Sequence, residues 1–398
     1  MGWHWVTHLA DHCQLYVITE KGFQEDIEKA LPQLNLNFVP EFHYIDIGDK
    51  ARKLFWKQGS YSFYSHYKQW QKQACQLARK LIAAKKVDII HQLNLIGFRE
   101  PGYLWTLSNQ VPFIWGPVGG YNQVPLNYIA KFDFKNKLFY FAKHLINYMQ
   151  VHFHSRVKKA FFSASRVLAE SSTTKKILKR IYGIDAILMN ETGADFKGFF
   201  SHPSFCNENT FHLLWVGRIQ GLKALPLASR VLKELNGEIP IKITVAGDGP
   251  DEEACKEMVV NYGLSDVVFF KGRIPNTEVK NLMRTHDLLF FTSLKEGTPH
   301  VILEALSNGL PVLCHDACGH GDIVDGACGI KIPMLSFEKS VAMFAEKIRY
   351  LYHNQEKLLQ FSNGARDSVL KHSWENKAEQ MVNIYSATVG KEMVNAVS

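Results

Sequence analysis

Short apolar runs alternate with amphipathic, helix-patterned segments along nearly all of this 398-residue chain, and that alternation limits the fold more than any other feature. A strand that rejoins its sheet in parallel needs a crossover of a dozen or more residues, usually a helix. Repeated strand-helix order therefore specifies doubly wound parallel sheets covered on both faces. Strands are expected at 13–19, 36–47, 87–91, 111–115 and 166–169, with helices at 2–9, 61–86, 128–162 and 173–182. The 61–86 segment sets Tyr67, Trp70, Ala74, Leu77 and Leu81 at three- and four-residue steps, the stripe of a helix that buries one face. The pattern stops at Asn190-Glu191-Thr192-Gly193-Ala194-Asp195, and irregular polar sequence continues to Asn209. It restarts with expected strands at 211–216, 241–246, 267–270, 288–291 and 311–314, separated by helices beginning near 224, 252, 277 and 299. The chain thus divides into a first domain (1–190), a linker (191–210), a second domain (211–372) and a final helix (373–398).

With 46% hydrophobic and 21% charged residues the chain can bury two cores, and no disorder is needed. No apolar run approaches the roughly 20 residues of a membrane-spanning helix and no basic-apolar leader opens the sequence, so a cytoplasmic location is expected. Seven scattered cysteines suit reduced thiols better than a disulfide framework. Cys314, Cys318 and Cys328, with His315 and His320 among them, allow a metal site or plain burial as small apolar side chains. The apolar sequence around Cys314 and Cys328 favours burial, and no metal is expected. The net charge of +8 is uneven: residues 1–190 hold 25 Lys+Arg against 13 Asp+Glu, and residues 191–398 hold 21 against 25. A basic half suits an acidic acceptor or an anionic membrane surface, the plain alternative being a solvated charged face.

The densest chemistry lies in Glu296-Gly297-Thr298-Pro299-His300-Val301-Ile302-Leu303-Glu304, followed by Gly309-Leu310-Pro311-Val312. It places one carboxylate on a loop, backbone amides at a helix start, and a second carboxylate about two turns on, at roughly 3.6 residues per turn. Hydroxyl-rich sugar at Glu296, diphosphate at the positive helix end and a ribose diol at Glu304 would fit along it in that order. Upstream stand Val216-Gly217-Arg218, Lys223 and Ala246-Gly247-Asp248-Gly249-Pro250. Arg218 and Lys223 are fixed cations that could stabilise the charge developing on a leaving diphosphate. For either alone, a solvated surface cation is the ordinary alternative. The Gly247-Asp248-Gly249 turn is a weak signal by itself, and the chain has no Asp-x-Asp triad to clamp a metal.

Taken in order, these motifs resemble the family-4 retaining glycosyltransferases of the GT-B fold: an α/β chain of two Rossmann-like domains facing a central cleft, with a C-terminal helix crossing back. Gly2-Trp3-His4-Trp5, His91 and Trp115-Gly116-Pro117-Val118-Gly119-Gly120 resemble a polysaccharide-assembly branch. The resemblance implies that Arg218, Lys223, Glu296 and His91 serve the transfer, and that Gly217, Gly297, Thr298, Val301, Ile302 and Glu304 hold the donor. His91 could equally be a packed core histidine, and the chain has Gly116-Pro117 where many relatives carry a donor-sugar histidine. The role of Asp322 is open. The resemblance also implies a strand and Gly-rich turn ahead of Gly2-Trp3, which Met1 directly precedes, so a version extended by roughly 25 residues is expected to be the more stable.

The expected activity is metal-independent transfer of a sugar, without a resident cofactor, from a nucleoside-diphosphate sugar to a lipid-linked or polysaccharide acceptor, in capsule, O-antigen or exopolysaccharide assembly. The competing reading is a catalytically silent protein that keeps nucleotide binding. Lys131, Lys135, Lys137, Lys143, Lys158 and Lys159, interspersed with Phe132, Phe134, Phe139, Tyr140, Phe141 and Tyr148, suit docking on an anionic membrane or burial of a helix pair. No nucleic-acid partner is expected.

Overall fold

The structure, a computed structural model, describes residues 1–54, 61–85, 87–93, 97–130, 134–195 and 210–397. Most of the expected linker, together with Lys131 and Phe132, lies outside the described residues. Every strand pair is parallel. In the first domain β1 (Tyr16–Glu20) pairs only with β2 (Glu41–Ile45), apart from a sheet ordered β3 (Ile90–Gln92), β4 (Phe113–Val118), β5 (Arg166–Ala169) and β6 (Ile187–Leu188). In the second, β7 (Phe211–Val216), β8 (Ile241–Ala246), β9 (Val268–Gly272), β10 (Leu288–Phe291), β11 (Val312–His315) and β12 (Gly329–Ile332) form one sheet in the order β12-β11-β10-β7-β8-β9.

Local chemistry explains the elements. β4 and β10 are buried along their whole lengths, as central strands covered on both faces must be, and they read as unbroken apolar runs. The helix Ser172–Tyr182 begins where the Ser171 hydroxyl accepts from the Thr174 amide at 3.2 Å, and ends at Gly183, whose φ of 71° supplies the left-handed cap. The aromatic-basic stretch forms Phe134–Phe153 and Ser155–Ser163 rather than one long helix. Several elements differ from expectation at their edges: β1 starts at Tyr16 and β3 at Ile90, because Gln14 and Asp88 interrupt the apolar runs, β2 is confined to Glu41–Ile45 of the expected 36–47, and β4, β9 and β11 are shifted by one to three residues.

The domains are tied by their ends. The helix Trp374–Val397 returns to the first domain, where Trp374, Ala378 and Met381 share an apolar cluster with Trp5, Leu9, Ile114 and Leu168. Trp374 stacks on His4 at 5.1 Å and meets the edge of Trp5 at 5.4 Å, while the Trp5 indole donates to the Glu191 carbonyl at 3.0 Å. Trp374→Ala removes this buried contact and is expected to destabilise by about 3–5 kcal/mol, seen as a lower Tm with faster amide exchange in both Gly2–Leu9 and Trp374–Val397.

Candidate functional site

The second sheet runs β7 to β9 in one direction and β10 to β12 in the other, so its order reverses between β7 and β10. In open parallel sheets the crevice beyond the carboxyl ends at such a reversal is where ligands bind. Gly217-Arg218 follows β7 and the Lys295–Thr298 loop follows β10, which puts the two strongest motifs on either side of that crevice. The Lys223 ammonium bridges them by donating to the Glu296 carboxylate, both side chains being largely enclosed, and lies 5.6 Å from the Phe291 ring centre. Arg218 is exposed at the crevice rim. Glycine is required where backbones meet: a Cβ on Gly247, at φ 144°, would lie 1.9 Å from the Gly217 carbonyl oxygen.

Glu304 stands on the helix His300–Ser307, half-buried, and accepts from Asn276 at 3.2 Å. The Ile302 amide, expected to face the diphosphate, donates instead to the Pro299 carbonyl at 3.2 Å, because the first turn closes on itself; the Ile302 side chain is in the core. Thr298 is engaged through its hydroxyl, which accepts from the Glu191 amide at 3.2 Å. Val301 is half-buried in the same turn.

His91 has both ring nitrogens occupied. Nε2 donates to the Gly116 carbonyl at 2.7 Å, which fixes the tautomer, and Nδ1 accepts from the Tyr385 hydroxyl at 2.7 Å. Burial lowers its pKa to about 4. Of the two roles weighed for His91, this arrangement favours the packed one, a tie between β3, β4 and the terminal helix. Asp322 gains a role: its carboxylate accepts from the Ser172 amide at 2.7 Å, joining the second domain to the first helical turn of Ser172–Tyr182. Cys314 and Cys328 lie in the apolar core with raised pKa values, and among the described residues no three His, Cys, Asp or Glu side chains converge as metal ligands.

Sequence reasoning missed the acids facing the crevice from the first domain. Glu170 follows β5 and Glu191 follows β6, neighbouring strands whose ends bring the two side chains into hydrogen-bond contact. Glu170 also accepts from the Gly120 amide at 3.2 Å and from Asn122 at 3.4 Å. A Cβ on Gly297 would lie 3.3 Å from one oxygen of Glu170 and 3.5 Å from one of Glu191, so the acid pair sits directly against the Glu296 loop. Burial, and then the charge of Glu170, raise the pKa of Glu191 to about 8; burial raises Glu170 as well. Two carboxyls in contact and shielded from water favour the form in which one of them keeps its proton. No local pattern signals two acids 21 positions apart; only the strand pairing makes them neighbours.

Compared with solved structures, the chain is similar over nearly its whole length to an Anabaena protein, Alr3699/HepE, crystallised with UDP (TM-score 0.62, 16% identity, 96% of this chain and 95% of that one). It is equally similar to a glycosyltransferase from Rickettsia africae ESF-5 (TM-score 0.63, 14% identity, 97% and 94%). The fold is GT-B. Residues 199–368 match the family described as Glycosyl transferases group 1. Among curated proteins, it is 30% identical over 167 residues to EpsD of Bacillus subtilis (strain 168), provisionally named a glycosyltransferase, covering 42% of each chain. TuaC of the same organism, provisionally named for teichuronic acid biosynthesis, is 28% identical over 207 residues, 50% of this chain and 49% of that one. The matches span about half or less of the length of these curated relatives.

The acid pair predicts a pH dependence. A carboxyl whose folded pKa is raised contributes stability fully below its unfolded pKa near 4.5 and loses it as pH rises through the folded value near 8. Thermal stability should therefore fall between pH 4.5 and about pH 8, the window that these values set. Glu191→Gln should flatten that fall by on the order of 2 kcal/mol, one pKa unit being about 1.4 kcal/mol. Parallel melting profiles of the two proteins across the window would show that Glu191 titrates normally.

Proposed function

We propose that the protein is a retaining, metal-independent glycosyltransferase that moves a sugar from a nucleoside-diphosphate donor to a lipid-linked or glycan acceptor in cell-surface polysaccharide assembly. The observation that carries this reading is the Lys223–Glu296 ion pair spanning the crevice between the loops after β7 and β10. Donor binding sets sugar hydroxyls against Glu296, and Lys223 and Arg218 face the diphosphate as its bond to the sugar breaks. Glu304 takes the ribose hydroxyls, and Gly217, Gly297, Thr298 and Val301 let the backbone approach. UDP in the HepE crystals and the relatives' names support the donor class and the pathway type. The absence of an Asp-x-Asp triad supports transfer without a metal.

Calorimetry in EDTA tests the donor side. The wild type is expected to bind UDP or GDP without magnesium, and strict magnesium dependence would count against the reading. Glu304→Ala should weaken nucleotide affinity. Lys223→Ala should lower turnover by on the order of 3 kcal/mol of barrier, the scale of a lost oxyanion donor. Unchanged kinetics in both variants would remove these residues from the donor site.

A membrane role follows from the helix Phe134–Phe153. Phe134, Leu138, Phe141, Leu145, Tyr148 and Met149 are all exposed, on one face by their three- and four-residue spacing, and Lys137 and Lys143 lie on the same helix. Among the described residues no helix is long and apolar enough to cross a membrane, so contact would be with the surface of an anionic bilayer. Vesicles containing phosphatidylglycerol should co-sediment the protein in low salt. A Phe141→Ser, Leu145→Ser double variant should lose most of that binding, and retention equal to wild type would leave the helix without this role.

A further inference from the structure

Two glycine-bearing loops, one from each domain, close on the Glu170–Glu191 pair. A Cβ on Gly119, in the loop after β4, would lie 1.7 Å from one oxygen of Glu170. A Cβ on Gly297, in the loop after β10, would lie 3.3 Å from that same oxygen and 3.5 Å from one of Glu191. The two carboxyls are thus wedged between a first-domain loop and the loop that carries Glu296. Their neighbours decide which of them is ionised. Glu170 is ringed by donors: the Gly120 amide at 3.2 Å, the Asn122 side-chain amide at 3.4 Å and the Thr174 hydroxyl at 3.5 Å. Donors favour a carboxylate, so Glu170 holds the negative charge, while Glu191 keeps the proton and donates a hydrogen bond to Glu170.

The same network supports the Glu296 loop. The Asn122 side-chain amide also donates to the Glu296 carbonyl at 3.4 Å, and the Glu191 backbone amide donates to the Thr298 hydroxyl at 3.2 Å. Gly297, between them, lies against the pair. Residues 296 to 298 therefore rest on groups that the Glu170–Glu191 hydrogen bond holds together. Other charges face the pair from the second domain. Glu296 is paired with Lys223, the Asp322 carboxylate accepts from the Ser172 amide, His300 is bonded to Thr192, and the Cys318 thiol lies within reach of the Glu170 charge. Lys295 also feels Glu170, with Arg99 and Lys143 acting on it in turn; its pKa is lowered to about 8, chiefly by burial, so Lys295 and Glu191 titrate over one range. Loss of the Glu191 proton would put two negative charges in contact. Separation of the carboxyls is the response open to them, and it would draw the loop off its support.

We propose that Glu170 and Glu191 are positioning residues for the transfer: joined by one hydrogen bond, they set the height of the Glu296–Thr298 loop against the donor. This rests on the transferase reading, in which that loop is the surface touched by the donor sugar and diphosphate.

The test uses the full chain at pH 7 and pH 9, with hydrogen exchange followed in a peptide covering residues 295–299 and UDP binding followed by calorimetry. In the wild type, exchange corrected for its intrinsic pH dependence is expected to be faster at pH 9. UDP affinity should fall by about fivefold or more, a proton-linked equilibrium changing by up to about tenfold per pH unit. Glutamine keeps a donor toward Glu170 and cannot ionise, so Glu191→Gln should hold both readouts within about twofold across the two pH values. Glu170→Gln also rules out a doubly charged pair and should behave likewise, so the outcome does not hang on one variant folding. Loop exchange that ignores pH in the wild type would overturn the proposal. So would a UDP affinity that falls equally in the wild type and both glutamine variants, which would trace the effect to Lys295. A wild type that binds no UDP at either pH would remove the donor reading, and this role with it, whatever the loop does.

Discussion

The loop Lys295–Thr298 is the point on which the two domains converge. It follows β10 at the reversal of the second sheet, and each of its residues is held or faced by something distant in sequence. Glu296 is paired with Lys223 from the loop after β7, and its carbonyl accepts from Asn122 of the first domain at 3.4 Å. Gly297 lies against Glu170 and Glu191, and Thr298 accepts the Glu191 amide. A Cβ at Gly319 would come within 1.7 Å of the Gly297 carbonyl oxygen, so the turn into Cys318–Ile323 holds the loop from below. The loop is therefore held from both domains at once, by Lys223 on one side and by Asn122, Glu170 and Glu191 on the other.

How much of this could be read from residue order follows from the range of the interactions. β7, β8 and β10 were expected at their observed bounds, since a buried parallel strand between helices writes itself as a continuous apolar run. β6 has only Ile187 and Leu188, too short for any periodicity. Cys318–Ile323 was missed because Cys-Gly-His-Gly-Asp-Ile reads as a turn; its start needs Cys318 at φ 50°, a conformation imposed by the packing on Gly297. The meeting of Lys223 with Glu296 across the crevice was within reach of the sequence, because each sits in a short motif directly after an apolar strand. Glu170 and Glu191 were not, since their meeting depends on the pairing of β5 with β6. His91 illustrates the converse: its place at a strand end suggested chemistry, while Tyr385, 294 residues away, occupies the nitrogen that chemistry would use.

Charge in the cleft is arranged by depth. The basic excess of residues 1–190 is partly a solvated face, but the half-buried Arg99 draws some of it inward, within electrostatic reach of Lys295 of the second domain. The Glu170–Glu191 pair lies against the Glu296 loop, and the charge of Glu170 also acts on Lys295. With the pair singly charged it partly screens Lys295 from Lys223, and with the pair doubly charged it would repel Glu296. Burial favours the singly charged form.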